Sequence, residues 1–151
     1  MMESMTLQQL MARAIGKEQE AYFFYQSTAK IVNNPGAKQM LLELAEEEIK
    51  HKKRLEALDL SKIGSIKTGT ITDLGIERFL TETSVSPDMT PADALQFAMK
   101  EEEDAHKFYT YLADTVNDPA VKTLAEALAR EEVKHKVRLE KMWDEEIYKE
   151  N

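Results

Sequence analysis

The second half of this sequence repeats the first half at a fixed distance of 84 residues. Aligned without a gap, residues 14–57 and residues 98–141 are identical at 20 of 44 positions. The two copies are most alike over residues 45–56 and 129–140. An internal duplication of this length predicts two copies of one supersecondary unit, packed against each other.

Each copy has the residue pattern of a helical hairpin. Apolar residues recur at alternating spacings of three and four, which is typical of helices packed lengthwise in a bundle. Asn34-Pro35 in the first copy and Asp118-Pro119 in the second combine a good helix cap with proline at the first helical position. Together with possible caps at Ser4 or Thr6 and at Thr90, the pattern predicts four helices. Their ranges are about 7–32, 35–60, 90–116 and 119–148.

The stretch between the two copies has a different composition. Residues 61–88 contain three of the five glycines and many β-branched residues, and we interpret them as a crossover connection with a short helix over 73–80. A connection of about 30 residues can span a helix of roughly 40 Å, so the third helix can begin at the far end from the second. We therefore expect one all-α domain, a four-helix bundle in up-down-down-up order. Its first hairpin covers about 7–60, the crossover about 61–89 and the second hairpin about 90–149.

Six ionisable residues interrupt the apolar stripes of the four helices. In each hairpin, a glutamate lies 15 residues before the turn and another lies 15 residues after it, counted from Asn33 or Asn117. Because the rise per residue of a helix is constant, all four glutamates are predicted to lie at one level. A histidine follows the second glutamate of each hairpin by three residues, on the same helix face. The six are Glu18, Glu48, His51, Glu102, Glu132 and His135.

Carboxylates on core-facing stripes need an explanation. Buried, ionised and unpaired, each would cost several kcal/mol. Two divalent cations would balance four carboxylates, and two imidazoles would complete a dinuclear site of a kind known in helical bundles. Mixed oxygen and imidazole ligands suit Fe or Mn, and also Zn. Two alternatives are that the glutamates lie on solvated faces, or that they form buried ion pairs in a metal-free interaction module.

These motifs resemble the diiron domain of rubrerythrin, within the ferritin-like superfamily of diiron-carboxylate proteins. The resemblance covers both hairpins. It rests on Glu18-x-x-Ala21-x-x-x-Tyr25, Glu48-x-x-His51, Glu102-x-x-Ala105-x-x-x-Tyr109 and Glu132-x-x-His135. It implies that the six residues are ligands of two iron ions, and that Tyr25 and Tyr109 form hydrogen bonds to them.

The resemblance also implies a function. It predicts a diiron-carboxylate oxidoreductase that activates or reduces dioxygen or peroxide; the alternative is an iron-binding or storage protein with a ferroxidase centre. Two departures from the family pattern matter: Ala105 stands where rubrerythrin has an extra carboxylate, and there is no cysteine to hold a rubredoxin-type iron. Any electron donor must then be a separate protein. Side-by-side homodimers are also implied.

Other polar residues near the stripes are interpreted as structural. Glu47 and Glu131 lie off the stripes, so a surface position is favoured. The alternative is that each forms a hydrogen bond to one of the metal ligands. His106, four residues after Glu102, is interpreted as a bystander; the alternative is a ligand that replaces the missing carboxylate.

Composition excludes several classes of function. A net charge of -8 argues against non-specific binding to nucleic acid or to an anionic membrane. The absence of cysteine excludes disulfides, iron–sulfur clusters and thiol nucleophiles. With no signal-peptide pattern at the start and no long apolar segment, a cytoplasmic location is expected.

Overall fold

The computed structural model describes residues 6–62, 79 and 88–145. Four long helices account for most of them: α1 (Leu7–Ala29), α2 (Pro35–Glu56), α3 (Pro91–Thr115) and α4 (Pro119–Trp143). A single 3₁₀ turn, Leu60–Lys62, follows α2. The predicted all-α class is confirmed. The short helix predicted over 73–80 lies outside the described residues, apart from Phe79.

All four helices begin where the sequence predicts. The Thr6 side chain accepts a hydrogen bond from the Gln9 amide, and Asn34 accepts from two amides in the first turn of α2. Thr90 and Asp118 cap α3 and α4 in the same ways. Each cap satisfies amides that the first helical turn leaves unpaired.

The helix ends lie earlier than predicted. α1 ends at Ala29, because Lys30 and Ile31 turn the chain with hydrogen bonds back to Ser27 and Thr28. Val32 is nevertheless buried, so the apolar pattern continues past the helix end. The apolar pattern also continues past the end of α2, which was predicted to reach about residue 60 but ends at Glu56. α4 ends at Trp143, and the residues beyond 145 that it was predicted to include are not described.

The helices pair as two hairpins, α1 with α2 and α3 with α4. One apolar cluster joins the starts of α1 and α4 to the ends of α2 and α3, through residues such as Leu10, Leu55, Leu112 and Leu128. A second cluster joins the four opposite ends. Helix ends can meet in this way only if the bundle runs up-down-down-up, so the predicted order is confirmed. Between the two clusters lies a layer of buried polar side chains.

Candidate metal centre

The six residues singled out by the sequence all lie in this polar layer. α1 and α3 each contribute one glutamate, and α2 and α4 each contribute a glutamate and a histidine. None of the six is more than 3% exposed. We call this set the Glu–His cluster; its members are Glu18, Glu48, His51, Glu102, Glu132 and His135.

His51 is surrounded by carboxylates from three helices. Its Nδ1 atom lies 3.1 Å from Glu132 Oε1, 3.5 Å from Glu18 Oε2 and 3.6 Å from Glu48 Oε1. The imidazole therefore places its Nδ1 atom at the point where α1, α2 and α4 meet.

His135, the equivalent residue in the second copy of the repeat, has similar surroundings. Its Nδ1 atom lies 2.8 Å from Glu48 Oε1 and 3.6 Å from both Glu102 Oε2 and Glu132 Oε1. The two imidazole rings, His51 and His135, are nearly parallel, with centroids 5.4 Å apart. Glu48 and Glu132 thus approach both imidazoles, whereas Glu18 and Glu102 each approach one.

The inward-facing atoms of the cluster approach one another at ion-pair distances, but none has a hydrogen bond of good geometry. Among the described residues, one fully buried atom from each of the six finds no hydrogen-bond partner. These atoms are Glu18 Oε2, Glu48 Oε1, His51 Nδ1, Glu102 Oε2, Glu132 Oε1 and His135 Nδ1. Buried polar atoms of native proteins are nearly always paired, so six exceptions at one point require a common partner. Carboxylate oxygens and imidazole nitrogens facing one another fit divalent cations.

The distances are short enough for a shared ion. One ligand atom each from Glu48, His51, Glu132 and His135 lie within 4.8 Å of one another. Metal–ligand bonds to oxygen and nitrogen are about 2.0–2.2 Å, so atoms within this spread can surround a metal ion with small side-chain movements. The donor set and its geometry therefore fit a Glu/His metal site.

The electrostatics of the cluster also favour a cation. Burial, together with repulsion from the neighbouring carboxylates, raises the pKa of Glu48 and of Glu132 well above the ordinary value. Burial alone would lower the pKa of His51, but Glu18 and Glu48 raise it to about 9. The pKa of His135 is raised in the same way, by Glu102, Glu47 and Glu48 against burial. Without a metal, the cluster therefore retains protons that a cation would displace.

Tyr25 and Tyr109 each form a hydrogen bond to a cluster glutamate of the other hairpin. The Tyr25 hydroxyl on α1 donates to Glu102 Oε1 on α3 at 2.5 Å, and the Tyr109 hydroxyl on α3 donates to Glu18 Oε1 on α1 at 2.6 Å. Burial and the nearby carboxylates raise the pKa of both phenols, which keeps them protonated as donors. One oxygen of each glutamate is thereby held, and the other faces the cluster.

The Tyr25→Phe variant is expected to lower the free energy of unfolding by about 1–3 kcal/mol, because it leaves a buried carboxyl oxygen without its donor. Urea unfolding measures this loss. Tyr22→Phe is the matched control on the same helix: its half-buried hydroxyl accepts from Gln26 at 2.8 Å, and its loss is expected to cost less than about 1 kcal/mol. Equal losses in the two variants would contradict the role assigned to Tyr25.

Glu47 and Glu131 are not the plain surface residues that the sequence analysis favoured. Glu131 Oε1 lies 3.2 Å from Nε2 of His51, and Glu47 Oε1 lies 3.3 Å from Nε2 of His135. Each glutamate belongs to the opposite hairpin from its histidine. A carboxylate that accepts the Nε2 hydrogen leaves Nδ1 free to face the cluster, which is how metal-binding histidines are usually oriented.

An arginine forms a hydrogen bond to each of these two glutamates. Arg54 donates to Glu131 at 2.8 Å and Arg138 donates to Glu47. The hydrogen bond from His135, opposed by partial burial and assisted by Arg138, lowers the pKa of Glu47 to about 2. The repeat contained a signal for this arrangement, because both glutamates and both arginines are identical between the copies although they lie off the apolar stripes.

His106 lies apart from the cluster. Its Nδ1 atom is 3.1 Å from the backbone oxygen of Ala129, and the side chain is half-buried. Ala105, at the position of the missing family carboxylate, is buried beside the cluster and adds no donor. In the described part of the chain, no helix has a stretch long and apolar enough to cross a bilayer.

Comparisons with known proteins agree with this geometry. The sequence profile of the Rubrerythrin family matches residues 3–64 and 93–151, which is more than half of the chain and includes all six cluster residues. A Thermotoga maritima protein described as a ferritin-like diiron-carboxylate protein has the same fold. Its TM-score is 0.73 at 20% identity, over 94% of this chain and 97% of that one.

A hypothetical protein from Pyrococcus furiosus is also similar, with a TM-score of 0.67 and 28% identity over 89% of this chain and 86% of the other. No curated protein matches the sequence. The structural likenesses establish the ferritin-like fold, and the family profile extends over both hairpins.

Proposed function

Because this chain belongs to the rubrerythrin family, we propose that its Glu–His cluster holds two iron ions and that the protein is a diiron-carboxylate oxidoreductase acting on dioxygen or peroxide. The observation that carries the proposal is the convergence of six buried, unsatisfied donor atoms at one level of the bundle. Four carboxylates and two neutral imidazoles balance the charge of two divalent ions.

The six residues that would hold the metal fall into two sets by distance. Glu48 and Glu132 lie near both imidazoles. Glu18 lies near His51 only, and Glu102 lies near His135 only.

Bound iron would supply electrons to an O–O bond and stabilise the negative charge that develops there. The residues of this chain do the remaining work. Tyr25 and Tyr109 hold the outer carboxylates, and Glu47 and Glu131 hold the imidazoles. Apolar clusters above and below limit the access of water to the layer. This sequence has no cysteine to hold a rubredoxin-type iron, and we propose that a separate protein donates the electrons.

The proposal is tested on protein purified without air. We expect about two iron ions per chain, and the reduced protein should consume peroxide or dioxygen through repeated cycles when a reductant is supplied. Glu48→Ala should lose the metal and the activity. Glu46→Ala, at an exposed position of the same helix, should keep both.

Two results would contradict the proposal. Protein that holds iron but never consumes either oxidant when reduced would exclude an oxidoreductase. Oxidation of added Fe(II) that ends in a mineral core within a large hollow assembly would indicate the storage alternative instead.

A further inference from the structure

A cavity of about 330 Å³ opens between α1 and α3 and reaches the Glu–His cluster. Its inner wall includes the four carboxylates of the cluster. Most of its other described lining residues belong to α1 and α3. Within the described part of the chain, the cavity therefore lies on the α1–α3 side of the cluster.

Four phenylalanine rings of the described residues line the cavity, together with alanines and several polar side chains. Phe24 on α1 and Phe97 on α3 pack with ring centroids 5.0 Å apart. Phe79 is buried and Phe23 is 57% exposed, and both line the cavity. A lining of several aromatic side chains with a few polar groups is typical of small-molecule sites.

Small residues keep the cavity open next to the carboxylates. Ala21 on α1 and Ala105 on α3 both line it, and they occupy equivalent positions of the repeat. A larger side chain at either position would project into the space. The two alanines therefore leave room in the cavity that a larger side chain would fill.

The volume of the cavity is far larger than a diatomic oxidant requires. A water molecule takes about 30 Å³ of liquid volume, and an apolar cavity of about 150 Å³ in another protein holds benzene. A cavity of 330 Å³ is in the range of small-molecule sites. Its walls match an organic compound of one or two rings.

Charge around the cavity disfavours an anionic occupant. Among the described lining residues the one lysine is Lys17, which is 7% exposed and has its Nζ atom 3.1 Å from Glu20 and 3.4 Å from Glu101. Its ammonium group also lies over the Phe79 ring, 5.6 Å from the centroid. Because two carboxylates balance this charge, the described lining residues have no net positive charge to attract an anion. Once two divalent ions balance the four cluster carboxylates, that wall of the cavity has no net charge to attract a cation either.

We propose that this cavity binds a small uncharged organic molecule, one or two rings in size, against the carboxylate face of the Glu–His cluster. Binding itself follows from the shape and the apolar walls. The further role of the molecule as the compound on which the metal centre acts rests on the proposed function.

Binding of 4-fluorotoluene to the purified protein, followed by ¹⁹F NMR, tests the proposal. We expect saturable binding of one molecule per chain. Intermolecular Overhauser effects should connect the ligand to the rings of Phe24 and Phe97. Ala21→Leu should weaken binding at least about tenfold, because the added methyl groups occupy the cavity. Ala12→Leu, an exposed position of the same helix, should leave binding unchanged.

A second ligand, which differs from the first in charge, tests whether the cavity excludes anions. The anion 4-fluorobenzoate has nearly the same shape and should bind at least about tenfold more weakly than 4-fluorotoluene, since desolvating a charge without a partner is costly. Equal binding of the two would overturn the proposal, as would contacts to residues outside the cavity or the absence of saturation. Iron content is measured on the same samples. Protein that binds 4-fluorotoluene but no metal would therefore contradict the proposed function and leave the cavity proposal standing.

Discussion

The Glu132→Gln variant is expected to be more stable than the wild type when both proteins are metal-free, and less stable when both are incubated with metal. Glu132 is 1% exposed, and burial together with repulsion from Glu102 and Glu18 raises its pKa. An uncharged amide of the same shape removes that repulsion. The expected gain in the metal-free free energy of unfolding is about 1–3 kcal/mol at pH 8.

In the presence of metal the variant is expected to be less stable than the wild type, because an amide is a poor metal ligand. A ligand at about 100 times its dissociation constant stabilises the folded state by about 2.7 kcal/mol, and the variant loses most of this stabilisation. Urea unfolding with chelator and with Fe(II) or Zn(II) measures both differences. Glu126→Gln, at an exposed position of α4, is the matched control and should change neither. A variant that is destabilised equally with and without metal would show that Glu132 is a structural hydrogen-bonding residue only.

The metal-free protein is expected to lose stability as the pH rises from about 5 to about 8. Glu48 and Glu132 have raised pKa values in the folded state, so they bind more protons folded than unfolded. Their contribution is complete below the ordinary value of 4.5 and is lost as the pH rises towards the folded-state pKa. His51 adds to this loss between 6.5 and about 9. Each proton difference changes the free energy of unfolding by about 1.4 kcal/mol per pH unit.

Glu47 and Glu131, next to the cluster, act in the opposite direction at lower pH, because the pKa of each is lowered. The pKa of Glu47 is lowered to about 2, so its contribution is present above 4.5 and is lost as the pH falls towards 2. The metal-free protein should therefore be most stable in mildly acidic solution.

Metal reverses the trend above this optimum, because it displaces the extra protons and binds more tightly as the ligands deprotonate. Thermal unfolding with chelator and with metal across this pH range tests the prediction. Parallel pH profiles under the two conditions would contradict the assignment of the cluster as the metal site.

Much of the architecture could be predicted from the repeat and the spacing of apolar residues. Thr6, Asn34, Thr90 and Asp118 cap the helices as predicted, because capping depends on residues next to one another in the chain. The helix ends were predicted less well. Val32 is buried beyond the end of α1, since an apolar pattern reports burial and not helical hydrogen bonding.

The sequence by itself determined which six residues share one level, because a helix advances by the same amount at every residue and the duplication repeats the arrangement. Only the tertiary structure decided how the side chains meet. Tyr25 reaches Glu102 and Glu131 reaches His51 across the hairpins, and the cavity lies between α1 and α3. Such contacts depend on the rotation and spacing of helices distant in the chain, which local spacing does not specify.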